Sequence, residues 1–191
     1  MDTRNDRIRL MDELSFRLAT SADASLLAAL AARLFHETFA SSMDPDDMRN
    51  YLAGAFSPAI QSAQLADPNR AVWLAFDGDM AIGYTMLIRG SRHPSVAAER
   101  PEEAQRIYAD QRWHGRGLGA LLLDKCYEQG HAWSCDVLWL AVWEHNARAI
   151  AFYAKHGFER VGTKTFQLGA SLQHDHVMAR RLNHEPHPAA P

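Results

Sequence analysis

Two cysteines, Cys126 and Cys135, are all that a chain of 191 residues contains. They cannot form a disulfide framework and make no Cys-x-x-Cys pair, so reduced thiols and a cytoplasmic setting are expected. Neither sign of charge dominates. Twenty Lys and Arg against 23 Asp and Glu leave a net charge of -3, which gives no sign of a nucleic-acid or anionic-membrane surface. No apolar run approaches the roughly 20 residues that a membrane-spanning helix requires. The polar lead from Met1 to Glu13 mixes both charges and lacks an apolar stretch, so it is not read as a signal peptide. A Walker loop is also missing, because no Gly-x-x-x-x-Gly-Lys-Ser/Thr run occurs. The remaining composition, 47% hydrophobic and 23% charged, is that of an ordinary globular protein. The length suits one domain with a full core, expected over residues 14–182 with a disordered tail from 183.

The organisation expected along the chain is β, helices, β-hairpin, β, α, β, α, β, β. Leu14-Ser15-Phe16-Arg17-Leu18 alternates like an edge strand. Ser21 is expected to cap a long helix carrying Leu27, Leu30, Leu34 and Phe35. Asp44-Pro45 and Ser57-Pro58 start two further helices, with Pro in the first turn. Asp77-Gly78-Asp79 reads as a hairpin turn between two apolar strands. Arg89 to Pro101 is polar and is expected as a mobile loop.

The next segment carries the chemistry. A strand through Arg106-Ile107-Tyr108-Ala109 is followed by Gln111-Arg112-Trp113-His114-Gly115-Arg116-Gly117-Leu118-Gly119-Ala120, which runs into a helix to about Gly130. Glycines at alternate positions let bare N–H groups approach a ligand. A helix starting there aims its unpaired N–H groups and positive dipole end at the same space, which suits a phosphate or pyrophosphate. The spacing is Gly-x-Gly-x-Gly and not the Gly-x-Gly-x-x-Gly of a dinucleotide fold.

A second segment, Leu138-Trp139-Leu140-Ala141-Val142-Trp143-Glu144-His145-Asn146, reads as a buried strand and a polar turn. A short helix with Ala149, Ile150, Phe152 and Tyr153 follows, capped by Asn146 and stopped by Gly157. Together the two segments resemble the GNAT acetyltransferase superfamily. The first matches its coenzyme A loop, Gln/Arg-x-x-Gly-x-Gly/Ala, with His114 in the Gln/Arg place and Gly117 and Gly119 in the glycine places. The second matches its Asn, Ala-Ile, Phe-Tyr, Gly-Phe motif. The resemblance implies a mixed α/β fold, a twisted sheet of about six or seven strands flanked by helices and splayed between the fourth and fifth strands. It implies acetyl-CoA as co-substrate and no metal. Coenzyme contacts are implied at Ile107, Tyr108, Ala109, His114 to Ala120, Asn146, Phe152, Tyr153 and Lys155. It further implies a small amine acceptor, with a homodimer as a family-like assembly.

Phe35-His36-Glu37-Thr38-Phe39, Asn50-Tyr51-Leu52 and Gly162-Thr163-Lys164-Thr165-Phe166-Gln167-Leu168-Gly169 resemble PaiA-type spermidine/spermine acetyltransferases. That group often has Glu-x-Glu-Arg-Ile-Tyr at the coenzyme strand; here the run is Glu103-Ala104-Gln105-Arg106-Ile107-Tyr108, with Gln105 for the second carboxylate. On this resemblance Glu103 is the candidate base, or a solvated residue at the strand start. The Ala109 N–H is a candidate donor to the developing oxyanion, and Tyr153 is the candidate acid for the leaving thiolate. Tyr51, Phe35 and Glu37 either line an acceptor pocket or pack helices. His174-Asp175-His176 is read as structural, since alternation sends Asp175 to the face opposite the two histidines. Two other readings stand beside the polyamine enzyme: an acetyltransferase acting on a protein N-terminus or lysine, and a non-catalytic coenzyme sensor.

Overall fold

Proline and short polar side chains mark where the helices begin. Asp44 accepts from the Asp46 N–H at 2.8 Å and Ser57 from the Ile60 N–H at 3.3 Å, each just ahead of a proline whose missing N–H costs nothing in a first turn. The computed structural model describes residues 14–168 and 171–182. Its elements are β1 (Leu14–Leu18), α1 (Ala24–Phe39), α2 (Pro45–Ala55), α3 (Pro58–Ala66), β2 (Arg70–Asp77) and β3 (Met80–Arg89). They continue with β4 (Pro101–Ala109), α4 (Leu118–Ala132), β5 (Val137–Trp143), α5 (Ala147–Lys155), β6 (Glu159–Leu168) and β7 (Ser171–Arg181). The sheet order is β1-β2-β3-β4-β5-β7-β6, a mixed seven-stranded sheet of the expected class. The polar lead before Leu14, Gly169 and the tail with His184 and His187 lie outside the described residues.

The described chain divides into two compact units. One holds the chain up to Leu87 with Arg106–Cys126, the other Ile88–Gln105 with the chain from Tyr127. In the first unit, α1 and α2 cover one face of β2 and β3 with Leu27, Leu34, Phe35, Met48 and Phe56. The start of α4 covers the other face, where Leu118 and Leu122 pack with Ile82. Gly83 makes that approach possible: a Cβ there would sit 2.9 Å from the Tyr108 carbonyl oxygen and 3.1 Å from Leu122.

In the second unit, β5 and β7 pair antiparallel from Val137 with Arg181 to Trp143 with Asp175. β4 pairs parallel with β5 only from Pro101 with Val137 to Glu103 with Trp139. Registered pairing thus ends after three residues, as a splayed sheet requires.

Three differences from the sequence reading have local causes. The helix expected to be capped at Ser21 begins at Ala24, because Ser21–Asp23 forms a separate 3-10 turn. There the Asp23 carboxylate accepts from the Thr20 N–H at 2.8 Å and binds Arg17. β4 starts five residues before Arg106, with proline at its first position where no ladder N–H is lost. The polar stretch expected as a mobile loop is tied at several points: Arg92 donates to the Ala98 and Glu99 carbonyls, and the Glu99 and Arg100 N–H groups both donate to Asp136.

Candidate functional site

β4 ends at Ala109 and the chain turns through Asp110, whose N–H donates to the Ile82 carbonyl at 2.8 Å. Asp110 is 1% exposed and receives two hydrogen bonds from the Arg112 guanidinium and one from Arg33 on α1, the shortest at 2.7 Å. The Arg112 hydrogen bonds, helped by its backbone N–H and by Arg33, hold this carboxyl far below the usual range despite burial. Asp110 therefore clamps the loop to α1. No sequence motif pointed to it; its place at a strand end two residues before an arginine was the available signal.

His114, the departure from the family loop, donates from Nε2 to the Ala109 carbonyl at 3.0 Å. Its ring ties the loop back onto the strand end. Gly115 and Gly117 carry φ of +75° and +99°, a region that side chains disfavour, and a Cβ at either would meet open space. The third glycine, Gly119, lies inside the first turn of α4, where the Ala120 and Leu121 N–H groups both donate to the Gly117 carbonyl, at 3.0 and 3.1 Å. Leu118 is buried under β3, while Ile107, Tyr108, Ala109 and Ala120 are half-buried and Arg116 stacks over Trp113 at 5.7 Å.

Aromatic rings crowd the other side of β4 in this unit. Tyr108 stacks on Tyr84 at 5.7 Å, Tyr51 on Phe35 at 4.6 Å, and the Arg106 guanidinium lies over Phe56 at 5.0 Å. Burial raises the Tyr84 phenol well above its ordinary range. Glu37 binds Arg33 at 2.9 Å through one oxygen and buries the other without a hydrogen bond.

In the second unit, Asn146 accepts the Ala149 N–H at 3.1 Å through Oδ1. Tyr153 is buried between Phe152 at 5.2 Å and Phe158 at 5.7 Å, and Lys155 is exposed. Gly157 stops α5 at φ +79°.

Two adjacent glutamates open β4 in this unit, and strand alternation sends them to opposite faces. Glu103, 6% exposed, accepts from the Ser91 hydroxyl at 2.6 Å and meets Lys164 Nζ at 3.7 Å. It is not the solvated residue of the bland reading. Lys164 also stands 5.7 Å above the Trp139 ring, whose indole N–H donates to the Ser91 carbonyl at 2.9 Å. His93 packs on the same indole at 5.6 Å. On β7, Asp175 is registered opposite Lys164, and burial raises its carboxyl. Neither Ser91 nor Lys164 was expected at a site; their spacing from Glu103 in sequence shows no pattern.

Glu102 is fully buried, with neither oxygen hydrogen-bonded, and desolvation pushes its carboxyl up to about 8. It lines a cavity of about 170 Å³ with Arg89, Arg100, Trp133 and Cys135.

A family model described as the acetyltransferase (GNAT) family matches residues 28–158. An uncharacterized N-acetyltransferase of Mycobacterium tuberculosis is 37% identical over 84% of this chain and 98% of its own. The N-alpha-acetyltransferase RimI of that organism is 30% identical over 76% of this chain and 78% of its own. The spermine/spermidine N(1)-acetyltransferase of Bacillus subtilis is 26% identical over 56% and 70%. Among solved structures, a PaiA N-acetyltransferase of Thermoplasma acidophilum in complex with coenzyme A aligns with TM-score 0.68 at 17% identity. That alignment covers 88% of this chain and 99% of the other.

Proposed function

The chain belongs to the GNAT acetyltransferase family and is an acetyl-CoA-dependent N-acetyltransferase; from that premise we propose that its acceptor is a primary amine, a polyamine such as spermidine or spermine, acetylated by direct attack in a ternary complex. Glu103 carries this reading. It is a nearly buried carboxylate that already holds an alkylammonium, Lys164, above an indole face. An incoming ammonium finds the same two attractions there, charge and ring quadrupole. Asp175 adds a second carboxyl for a substrate with more than one cationic nitrogen.

In this proposal the loop from His114 to Ala120 holds the coenzyme pyrophosphate with backbone N–H groups. Its two left-handed glycines and the opening turn of α4 support that role. Ile107, Tyr108 and Ala109 run beside the pantetheine arm, which also meets the Asn146 NH₂, Phe152 and Lys155. Glu103 takes the proton that the amine must lose before it attacks. The Ala109 N–H stabilises the oxyanion, and Tyr153 protonates the departing thiolate. With unperturbed phenol and thiol pKa values of roughly 10 and 8.5, this proton moves with local help or in concert with C–S cleavage. Cys126 and Cys135, both buried and not joined by a disulfide, suit a cytoplasmic setting, and a homodimer is the assembly carried with the proposal.

Thiol release from acetyl-CoA against a panel of amines tests it. Spermidine-dependent turnover is expected to fall about 10²- to 10⁴-fold in Tyr153→Phe with coenzyme affinity retained. A second reading, acetylation of a protein N-terminus, is favoured by the higher identity to RimI. Turnover on N-terminal peptides but on no polyamine would select it.

A further inference from the structure

The chain has three lysines, Lys125, Lys155 and Lys164, and they meet different surroundings. Lys125 lies over Phe16 and Trp73 at 5.6 and 5.1 Å. Lys155 projects from the exposed end of α5. Lys164 alone of the three pairs with Glu103, at 3.7 Å, while its side chain keeps 43% of its surface exposed.

We propose that Lys164 is a self-acetylation site: the enzyme's own lysine takes the acceptor seat and receives an acetyl group when no external amine occupies it. The inference rests on the reading of Glu103 as the base. Three observations support it. Lys164 presents the chemical group that the reaction consumes, a primary amine on a flexible stem. It sits against the carboxylate proposed to deprotonate the acceptor and over the Trp139 face proposed to receive it. The strap that supplies Ser91 is held in place: its Ser95 packs against Gly162, where a Cβ would collide with the serine side chain. β6 therefore delivers Lys164 to this seat in a defined register, two residues beyond that contact.

The step balances with acetyl-CoA as the only co-reactant. The Lys164 ammonium gives its proton to Glu103, and the Nζ lone pair forms a bond to the thioester carbonyl carbon. The C–S bond breaks, the thiolate leaves as free thiol with a proton from Tyr153, the second proton of the attacking nitrogen restores the phenol, and Glu103 releases its own proton to solvent. Acetyl-lysine carries no charge, so both the ion pair to Glu103 and the attraction to Trp139 vanish. The seat is then open to an external amine, and the modification switches the enzyme from a self-occupied to a substrate-ready state.

Full-length protein incubated with acetyl-CoA and no amine, followed by peptide mapping, tests this directly. Lys164 should gain one acetyl group in a single exponential. The rate should saturate with acetyl-CoA, not vary with protein concentration, and drop at least about tenfold in Tyr153→Phe. Added spermidine should protect it. Lys125 and Lys155 report adventitious chemical acetylation in the same digest. Lys164 left unmodified in a preparation that acetylates external amines overturns the proposal. So does labelling that climbs linearly with acetyl-CoA in step with Lys125 and Lys155. Glu103→Gln on the amine panel separates the two layers: unchanged amine turnover overturns the base assignment and the proposal with it. Lost amine turnover beside an unlabelled wild-type Lys164 overturns self-acetylation alone.

Discussion

Glu102 and Glu103 differ by one position and by nearly everything else. Alternation along β4 puts Glu103 against a hydroxyl and an ammonium, and Glu102 in the packed interior beside Gly130 and Cys135. A buried carboxylate without donors is costly, so the acid holds its proton, with a folded-state pKa pushed up to about 8. The unfolded value is about 4.3. A raised pKa means the folded state binds the proton more tightly. The resulting stability is complete below about pH 4.3 and is lost as pH rises towards 8, at up to about 1.4 kcal/mol per pH unit. Glu102→Gln keeps the shape and cannot ionise. Its urea midpoint is therefore expected to pull ahead of the wild type between pH 5 and pH 9, and parallel midpoints across that range would show that Glu102 is solvated.

At the scale of elements, the approach of α4 to β3 and β4 depends on one missing methyl group. Gly83→Ala places a Cβ 2.9 Å from the Tyr108 carbonyl oxygen, a backbone atom that cannot rotate away, with Leu118 and Leu122 behind it. The expected cost is about 1–3 kcal/mol, seen as a lower thermal midpoint. The same displacement moves the strand end on which His114 anchors the glycine loop. Weaker coenzyme A binding is therefore expected in calorimetry, even though Gly83 is not proposed to touch the ligand.

For the whole molecule, ionised aspartates set the acid limit. Hydrogen bonds from Arg17 hold Asp23 far below the ordinary range, and those from Arg112 and Arg33 do the same for Asp110. Against burial, the Glu99 and Arg100 N–H groups lower Asp136. A depressed folded pKa gives stability that is present above the unfolded value of about 3.9 and lost as pH falls below it. With Glu102 acting in the opposite direction, the stability profile is expected to crest near pH 4–5 and to fall more steeply on the acid side. Asp110→Asn should flatten that acid limb and lower stability at pH 7 by about 1–3 kcal/mol. That is less than for a fully buried pair, because both arginines remain partly solvated. Denaturation midpoints from pH 3 to pH 9 for both proteins check this.

Local chemistry decided much of this protein in advance. Asp44-Pro45, Ser57-Pro58, Asp77-Gly78-Asp79 and Asn146 with Gly157 mark their own element ends, because caps and turns are satisfied within a few residues. The alternate glycines and the Asn, Phe-Tyr, Gly-Phe run carried the family, since backbone approach to a ligand constrains residue type at fixed spacing. Short-range rules did not reach the early start of β4, the full length of β6 and β7, or the fastening of residues 89–100 to Asp136. Strand extent is set by the partner strand and not by the strand's own residues. The surroundings of the two glutamates depend still more on the fold. Ser91, Trp139 and Lys164 are 12, 36 and 61 positions from Glu103, and no periodicity links them. Only pairing β4 with β5, β5 with β7 and β7 with β6 gathers them around one carboxylate, while the neighbouring Glu102, turned to the opposite face, is left without a donor.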